Sequence, residues 1–200
     1  MLPFPYPIRI GTDICQISRI RRIVTGGHGV RFLQRIFSDH ERTVFAARLK
    51  PAFEAAEKAA MPERATSKRP AQDAALDQAV TFVAGRFAAK EAAFKAHSTY
   101  RLGFHDVHIM TRRLTLAPGE SKPPGAAPYA VIQPRPPFTS VAQEAQVSIS
   151  HDGGYATAVC LGFEQPLTPE AQLDEQRSDD NSEGRTEAAE GSAGESPRGE

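Results

Sequence analysis

Gly85-Arg86-Phe87-Ala88-Ala89-Lys90-Glu91-Ala92-Ala93-Phe94-Lys95-Ala96 is the stretch on which the fold turns. It is alanine-rich, lacks proline and holds its one glycine at the start, so local propensity predicts a helix. At about 100° per residue, Val83, Phe87 and Phe94 fall on one narrow apolar stripe, as a core-facing helix requires. Glu91 and Lys95 stand four apart, one turn from each other, on the flank of that stripe. Lys90 lies near the stripe itself, an awkward place for a solvated ammonium. A phosphate or carboxylate partner would explain it, and so would snorkelling along an alanine-rich helix. By spacing alone the plain reading is a core helix with a weak surface ion pair.

Two further stretches change that reading. Ile10-Gly11-Thr12-Asp13-Ile14-Cys15-Gln16-Ile17-Ser18-Arg19-Ile20 lies near the N-terminus. Val147-Ser148-Ile149-Ser150-His151-Asp152-Gly153-Gly154-Tyr155-Ala156-Thr157-Ala158-Val159 closes the foldable part. With the Lys90-Glu91…Lys95 helix, these resemble, in order, the three signature segments of the holo-acyl-carrier-protein synthase family, the small 4'-phosphopantetheinyl transferases. The likeness runs over residues 8–98 apart from 51–77, then over 104–109 and 147–161. Bacterial members follow the helix with a Gly-Thr-Gly turn that touches the cofactor, whereas this chain has Ser98-Thr99-Tyr100. Leu102-Gly103-Phe104-His105-Asp106-Val107 is closer to the fungal mitochondrial branch.

The resemblance implies an α+β domain of the 4'-phosphopantetheinyl transferase fold, a small antiparallel sheet packed with helices. It also implies a homotrimer with active sites between subunits. The implied reaction moves the phosphopantetheine arm of coenzyme A onto a serine of apo acyl carrier protein, releasing 3',5'-bisphosphoadenosine. Displacement at a phosphoryl centre relies on charge stabilisation and positioning. Mg²⁺, which takes one or two carboxylates together with phosphate oxygens and waters, is the implied metal. By motif match, Asp13 and Glu91 are the metal ligands. Glu91 is the candidate base, and Lys95 faces the charge developing on the leaving group. Arg86, Lys90, Lys95 and His151 are expected to contact coenzyme A, and Arg19 and Arg22 the acidic carrier protein. A non-catalytic coenzyme A or carrier-protein binding module of the same fold is the alternative, although such a module need not keep Asp13, Glu91 and Lys95 together.

Composition sets the bounds. Two hundred residues suit one ordinary domain with extra segments. Charge balances at 24 basic and 24 acidic residues, but residues 164–200 hold 11 of the acidic and 3 of the basic ones. The preceding 163 residues are therefore about +8 and the tail about −8. A basic body favours acidic partners. Nucleic acid is not expected, because no basic run or interleaved surface aromatics accompany that charge. Cys15 and Cys160 are isolated among apolar neighbours and read as buried free thiols rather than a zinc site or disulfide. No apolar run is long enough to cross a bilayer. The first motif begins within about ten residues of the N-terminus, leaving no visible presequence. A mitochondrial location therefore rests on the fungal likeness, with the cytoplasm otherwise expected.

In chain order, residues 8–12 read as a strand ending beside Asp13, which either holds a cation or caps the helix expected from Ile14. Ile14, Ile17, Ile20 and Val24 would form that helix's apolar arc, with Arg19 and Arg22 on its far side. Residues 31–37 form a helical turn, and Ser38-Asp39-His40-Glu41 a capping box opening the next helix. Residues 51–77 hold few large apolar side chains and read as a flexible insertion, helical in part. Residues 107–109 and 129–132 are strand candidates around a Pro-rich loop, 117–140. Two final strands meet through His151-Asp152-Gly153-Gly154. The expected layout is a transferase domain over 1–163 and a disordered acidic tail over 164–200.

Overall fold

A computed structural model describes residues 6–61, 70–112, 127–135 and 141–163, all within one compact unit, Met1–Glu164. Five strands form one antiparallel sheet: β1 (Ile8–Gln16), β2 (Val107–Thr111), β3 (Pro128–Ile132), β4 (Gln143–Asp152) and β5 (Tyr155–Phe163). Their order across the sheet is β1-β5-β4-β3-β2. The helices are α1 (Ile17–Val24), α2 (Gly29–Ile36), α3 (Asp39–Val44), α4 (Ala46–Ala60) and α5 (Pro70–Ala96). A 3-10 turn, Phe104–Asp106, leads into β2. The α+β class and small antiparallel sheet are as expected.

The long helix α5 crosses one face of the sheet, and the expected single apolar stripe understates it. Val83 is fully buried and Phe87 and Phe94 are partly so, but Ala84, Ala88, Ala89, Ala92, Ala93 and Ala96 are all at 0% exposure. Small side chains let the helix lie close against the strands. Closest of all is Gly11 on β1. A Cβ built there would stand 1.9 Å from the Ala92 carbonyl oxygen and 2.6 Å from the Ala96 nitrogen. Only a residue without a side chain permits that approach.

The strand at the first motif is longer than its sequence suggests. It continues through Asp13 and Ile14 to Gln16, because all nine of its residues pair with β5, from Ile8↔Phe163 to Gln16↔Tyr155. Asp13 is therefore a mid-strand residue and not a helix cap. Ile14 does not join the helical arc; it lies on the open face of the sheet, 67% exposed. Alternation explains both outcomes, since Gly11, Asp13 and Cys15 face α5 while Ile10 and Ile14 face away. Helix α1 starts at Ile17, whose N–H donates to the Gly154 carbonyl at the tip of the β4–β5 hairpin (2.9 Å). That tip is a two-residue turn in which Gly153 and Gly154 have φ of +53° and +85°. The first-type mirror turn demands this conformation at both positions.

Within residues 51–77 the helix expected in part is present, and the next helix starts at Pro70 rather than near Leu76. Helix α4 runs past Pro51 to Ala60, and α5 begins at Pro70. Leu49, Ala52 and Ala56 are buried. The sequence has few large apolar residues here, but alanine buries well where helices meet closely. Residues 62–69, most of the Pro-rich loop and the acidic tail lie outside the described residues. Cys15 and Cys160 are free and buried, as expected. Among the described residues, no helix is long and apolar enough to cross a membrane.

Candidate active site

Strand β1 brings Asp13 to the helix-facing side of the sheet, and the Gly11 contact brings α5 down onto it. Lys95 consequently reaches across two segments more than eighty residues apart in the chain. Its Nζ donates to Asp13 Oδ1 at 2.8 Å and to the Thr12 carbonyl at 2.7 Å. An ammonium has three donors, so one remains for a further acceptor. Asp13 is mostly covered in this pair and Lys95 about half exposed, with side chains at 17% and 53%.

Glu91 lies one turn before Lys95 on α5, half-buried. Partial burial raises its carboxyl above the ordinary value, and the neighbouring Asp13 charge raises it further, against the opposing pull of Lys95, Arg19 and Arg35. Two neighbouring carboxylates beside one ammonium form a hard-oxygen donor pair. A divalent cation would relieve their repulsion. No group of three or more metal-binding side chains is found among the described residues. The pair thus suits a metal that takes its remaining ligands from substrate and water.

Asp13, Glu91 and Lys95 therefore converge within one chain. The other expected cofactor residues do not join them. His151 sits at the end of β4, its Nε2 3.2 Å from the Thr81 carbonyl, with its ring seated over Gly85. Arg86 lies five residues before Glu91, about 7.5 Å along the helix axis. Its guanidinium packs against the touching rings of Phe45 and Phe82, each centroid 4.9 Å away, and donates to Thr111 Oγ1 at 3.1 Å. Burial pulls its pKa down to about 10, and its Nε has no hydrogen-bond partner among the described residues.

Lys90 departs from expectation. It is fully buried, and all three donors are used: Glu41 Oε2 at 2.6 Å, the Ile36 carbonyl at 2.7 Å and the Phe104 carbonyl at 2.8 Å. It has no donor left for coenzyme A, so the expected cofactor contact is replaced by a core ion pair. The carboxylate that its position demanded is Glu41, the capping-box residue. Sequence reasoning placed Glu41 only at the start of α3. It also missed Arg35, whose charge acts on Glu91 and whose guanidinium lies 5.9 Å from the Phe104 ring centroid.

Arg19 and Arg22 are exposed on α1, with no acidic partner among the described residues. Arg21, between them, is tied to Asp77 and Asp73 of α5. The helix thus presents two exposed guanidinium groups, of which Arg19 is near enough to act on Glu91.

Residues 9–160 match the model of the 4'-phosphopantetheinyl transferase superfamily. The chain belongs to that superfamily. It is 32% identical over 167 residues to the mitochondrial 4'-phosphopantetheinyl transferase B of Aspergillus fumigatus, covering 80% of this chain and 97% of that one. It is 31% identical to a holo-[acyl-carrier-protein] synthase of a Sulfurovum species, covering 78% and 98%. Among solved structures it is similar to the holo-ACP synthase of Plasmodium yoelii, at 19% identity and a TM-score of 0.49, covering 79% of this chain and 95% of that one. The Helicobacter pylori synthase, solved with coenzyme A, gives 25% identity and 0.42, covering 76% and 96%.

Proposed function

We infer that this chain is a holo-[acyl-carrier-protein] synthase, transferring 4'-phosphopantetheine from coenzyme A to a serine of apo acyl carrier protein. The observation that carries the residue assignment is the meeting of Asp13, Glu91 and Lys95, brought together by the contact of β1 with α5. In the proposed step the serine oxygen attacks the phosphorus that bears the pantetheine arm. The bond from that phosphorus to the bisphosphoadenosine oxygen breaks, and the serine proton passes to Glu91. A carboxyl held above its ordinary pKa is a better base than an unperturbed glutamate. The free donor of Lys95 meets the charge gathering on the leaving phosphate. Asp13 and Glu91 would hold Mg²⁺, which supplies charge neutralisation at the pyrophosphate when bound.

Arg86 on α5 and His151, packed against α5 at Gly85, are assigned to the nucleotide end of coenzyme A. The orphaned buried Nε of Arg86 supports an anionic neighbour. Arg19 and Arg22 are assigned to the acidic carrier protein. Reversing both charges (Arg19→Glu with Arg22→Glu) should lower kcat/KM for the carrier about tenfold or more, with KM for coenzyme A unchanged. Steady-state kinetics with each substrate varied in turn would check this.

The assembly is proposed to be a homotrimer. The sheet face away from α5 exposes Ile8, Ile10, Ile14, Val159, Leu161 and Phe163 on the adjoining strands β1 and β5. A contiguous apolar patch of this kind marks an interface, and a second copy of the chain is the occupant that the family likeness supports. Sedimentation equilibrium should give three times the chain mass of 21.7 kDa. Ile10→Glu should yield monomers with little activity; a fully active monomer would remove the proposal. Likeness to the Aspergillus enzyme favours a mitochondrial setting.

The deciding experiment is the intact mass of purified apo acyl carrier protein after incubation with this chain, coenzyme A and Mg²⁺. The expected result is the gain of one phosphopantetheine, abolished by chelator. No gain with mitochondrial, cytosolic and bacterial carriers alike, despite coenzyme A binding, would leave a binding module.

A further inference from the structure

We propose that Glu41 is a positioning residue for the transfer reaction, holding α5, through Lys90, at the rotation that turns Glu91 toward Asp13. The inference rests on reading Glu91 as the residue at the reacting centre.

Helix α5 lacks an interlocking surface. Its sheet-facing surface is built from Gly85, Ala88, Ala89, Ala92 and Ala96, side chains too short to interlock deeply with strands. Such a surface resists separation but does little to prevent the helix from turning or sliding by a fraction of a turn. Apolar burial is non-directional. The neighbouring residue of Glu91 supplies what is missing. Lys90 sends its three donors to three different pieces of chain: the end of α2 at Ile36, the first turn of α3 at Glu41, and the 3-10 turn at Phe104. Hydrogen bonds of 2.6–2.8 Å are directional, so three of them fix a point on the helix in space.

Glu41 is the centre of that arrangement and is itself held on both oxygens. Oε1 accepts from the Ile109 N–H of β2 at 3.1 Å; Oε2 accepts from the Ser38 N–H at 3.1 Å and the Ser38 hydroxyl at 3.3 Å, besides Lys90. The Ser38 hydroxyl continues to His108 Nδ1 at 3.0 Å. Both members of the ion pair are at 0% exposure. Burial pulls the Lys90 pKa down, and the Glu41 charge opposes that pull. Lys90 and Glu91 are consecutive, so a rotation of α5 that moved one would swing the other away from Asp13.

The test uses the full-length chain with coenzyme A, Mg²⁺ and apo acyl carrier protein, assayed well below each variant's Tm. Glu41→Gln keeps the shape and removes the charge; Glu41→Gln with Lys90→Met leaves no buried charge. Glu91→Gln runs in parallel. The expected result is a kcat at least tenfold lower for folded Glu41→Gln, with KM for coenzyme A within about twofold of wild type. The double variant should regain Tm without regaining kcat. A purely structural pair would behave otherwise: activity would follow the folded fraction, and the double variant would regain both. Folded Glu41→Gln with wild-type kcat overturns the proposal, as does a double variant that recovers kcat with Tm. The double variant carries the test alone if Glu41→Gln does not fold. If Glu91→Gln keeps wild-type kcat, it is the reading of Glu91 that fails.

Discussion

Glu91→Gln is expected to lower the transfer rate by about 10²–10⁴-fold while leaving the chain folded, the range for loss of a positioned general base. The amide keeps the shape of the side chain but neither takes a proton nor presents a charged oxygen to a cation. The same substitution should stabilise the metal-free protein near neutral pH. Burial and the Asp13 charge hold the Glu91 carboxyl above its ordinary value of 4.5. The folded state therefore binds that proton more tightly than the unfolded chain does. The stability contributed by this group is complete below the ordinary value and is lost as pH rises through the raised one. Glutamine removes that loss. Thermal melts in chelator should place the variant's Tm above wild type at about pH 7.5, with the gap closing below about pH 4. Equal Tm at every pH would mean that neither burial nor the Asp13 charge raises the Glu91 carboxyl. A transfer rate within a few-fold of wild type would remove Glu91 from the chemistry.

The second large effect is expected at Gly11. In Gly11→Ala the new Cβ would stand 1.9 Å from the Ala92 carbonyl oxygen and 2.9 Å from its carbon. These are backbone atoms of a helix and have no rotamer through which to yield, so β1 and α5 must part. Overpacking of this kind costs about 3 kcal/mol. Activity should fall further than stability does, because Asp13 lies two residues along β1 and its partner Lys95 lies on the displaced helix. Gly27→Ala is the control. Nothing lies within 4 Å of a Cβ at Gly27, and that variant should stay within about 0.5 kcal/mol of wild type. Denaturant melts and initial rates on the two variants decide the matter. A Gly11→Ala chain with unchanged midpoint and rate would show that the strand–helix contact yields easily.

These two positions also mark what was legible in the sequence. The helix around Glu91 could be read from propensity, the capping box at Ser38 from its four residues, and the last hairpin from its turn glycines. Each is a local signal. Asp13 was found as a residue, but its placement was wrong, because a strand's length is set by its partner and β5 begins 142 residues later. Lys90 was recognised as misplaced for a solvated lysine, yet its carboxylate lies 49 positions away, beyond the reach of periodicity. Helix α4 was undervalued for want of large side chains, although Ala52 and Ala56 are wholly buried. Local pattern specified the elements; distant pairing specified where the chemistry-bearing side chains meet.

That distance between β1 and β5 bears on how the protein is made. Ile8 pairs with Phe163, at opposite ends of the described unit, and α1 receives its first backbone acceptor from the hairpin tip at Gly154. Contacts so far apart along a chain are slow to form. A ribosome adding about 5–20 residues per second needs roughly 8–30 s to get from one end of this pairing to the other. Throughout that interval the strand bearing Asp13 has no partner, and its isoleucines are open to other nascent chains. Half of the carboxylate pair is thus synthesised early but acquires its place only when the last strand emerges. A message truncated just before Tyr155 would yield all five described helices and leave β1 without its partner strand.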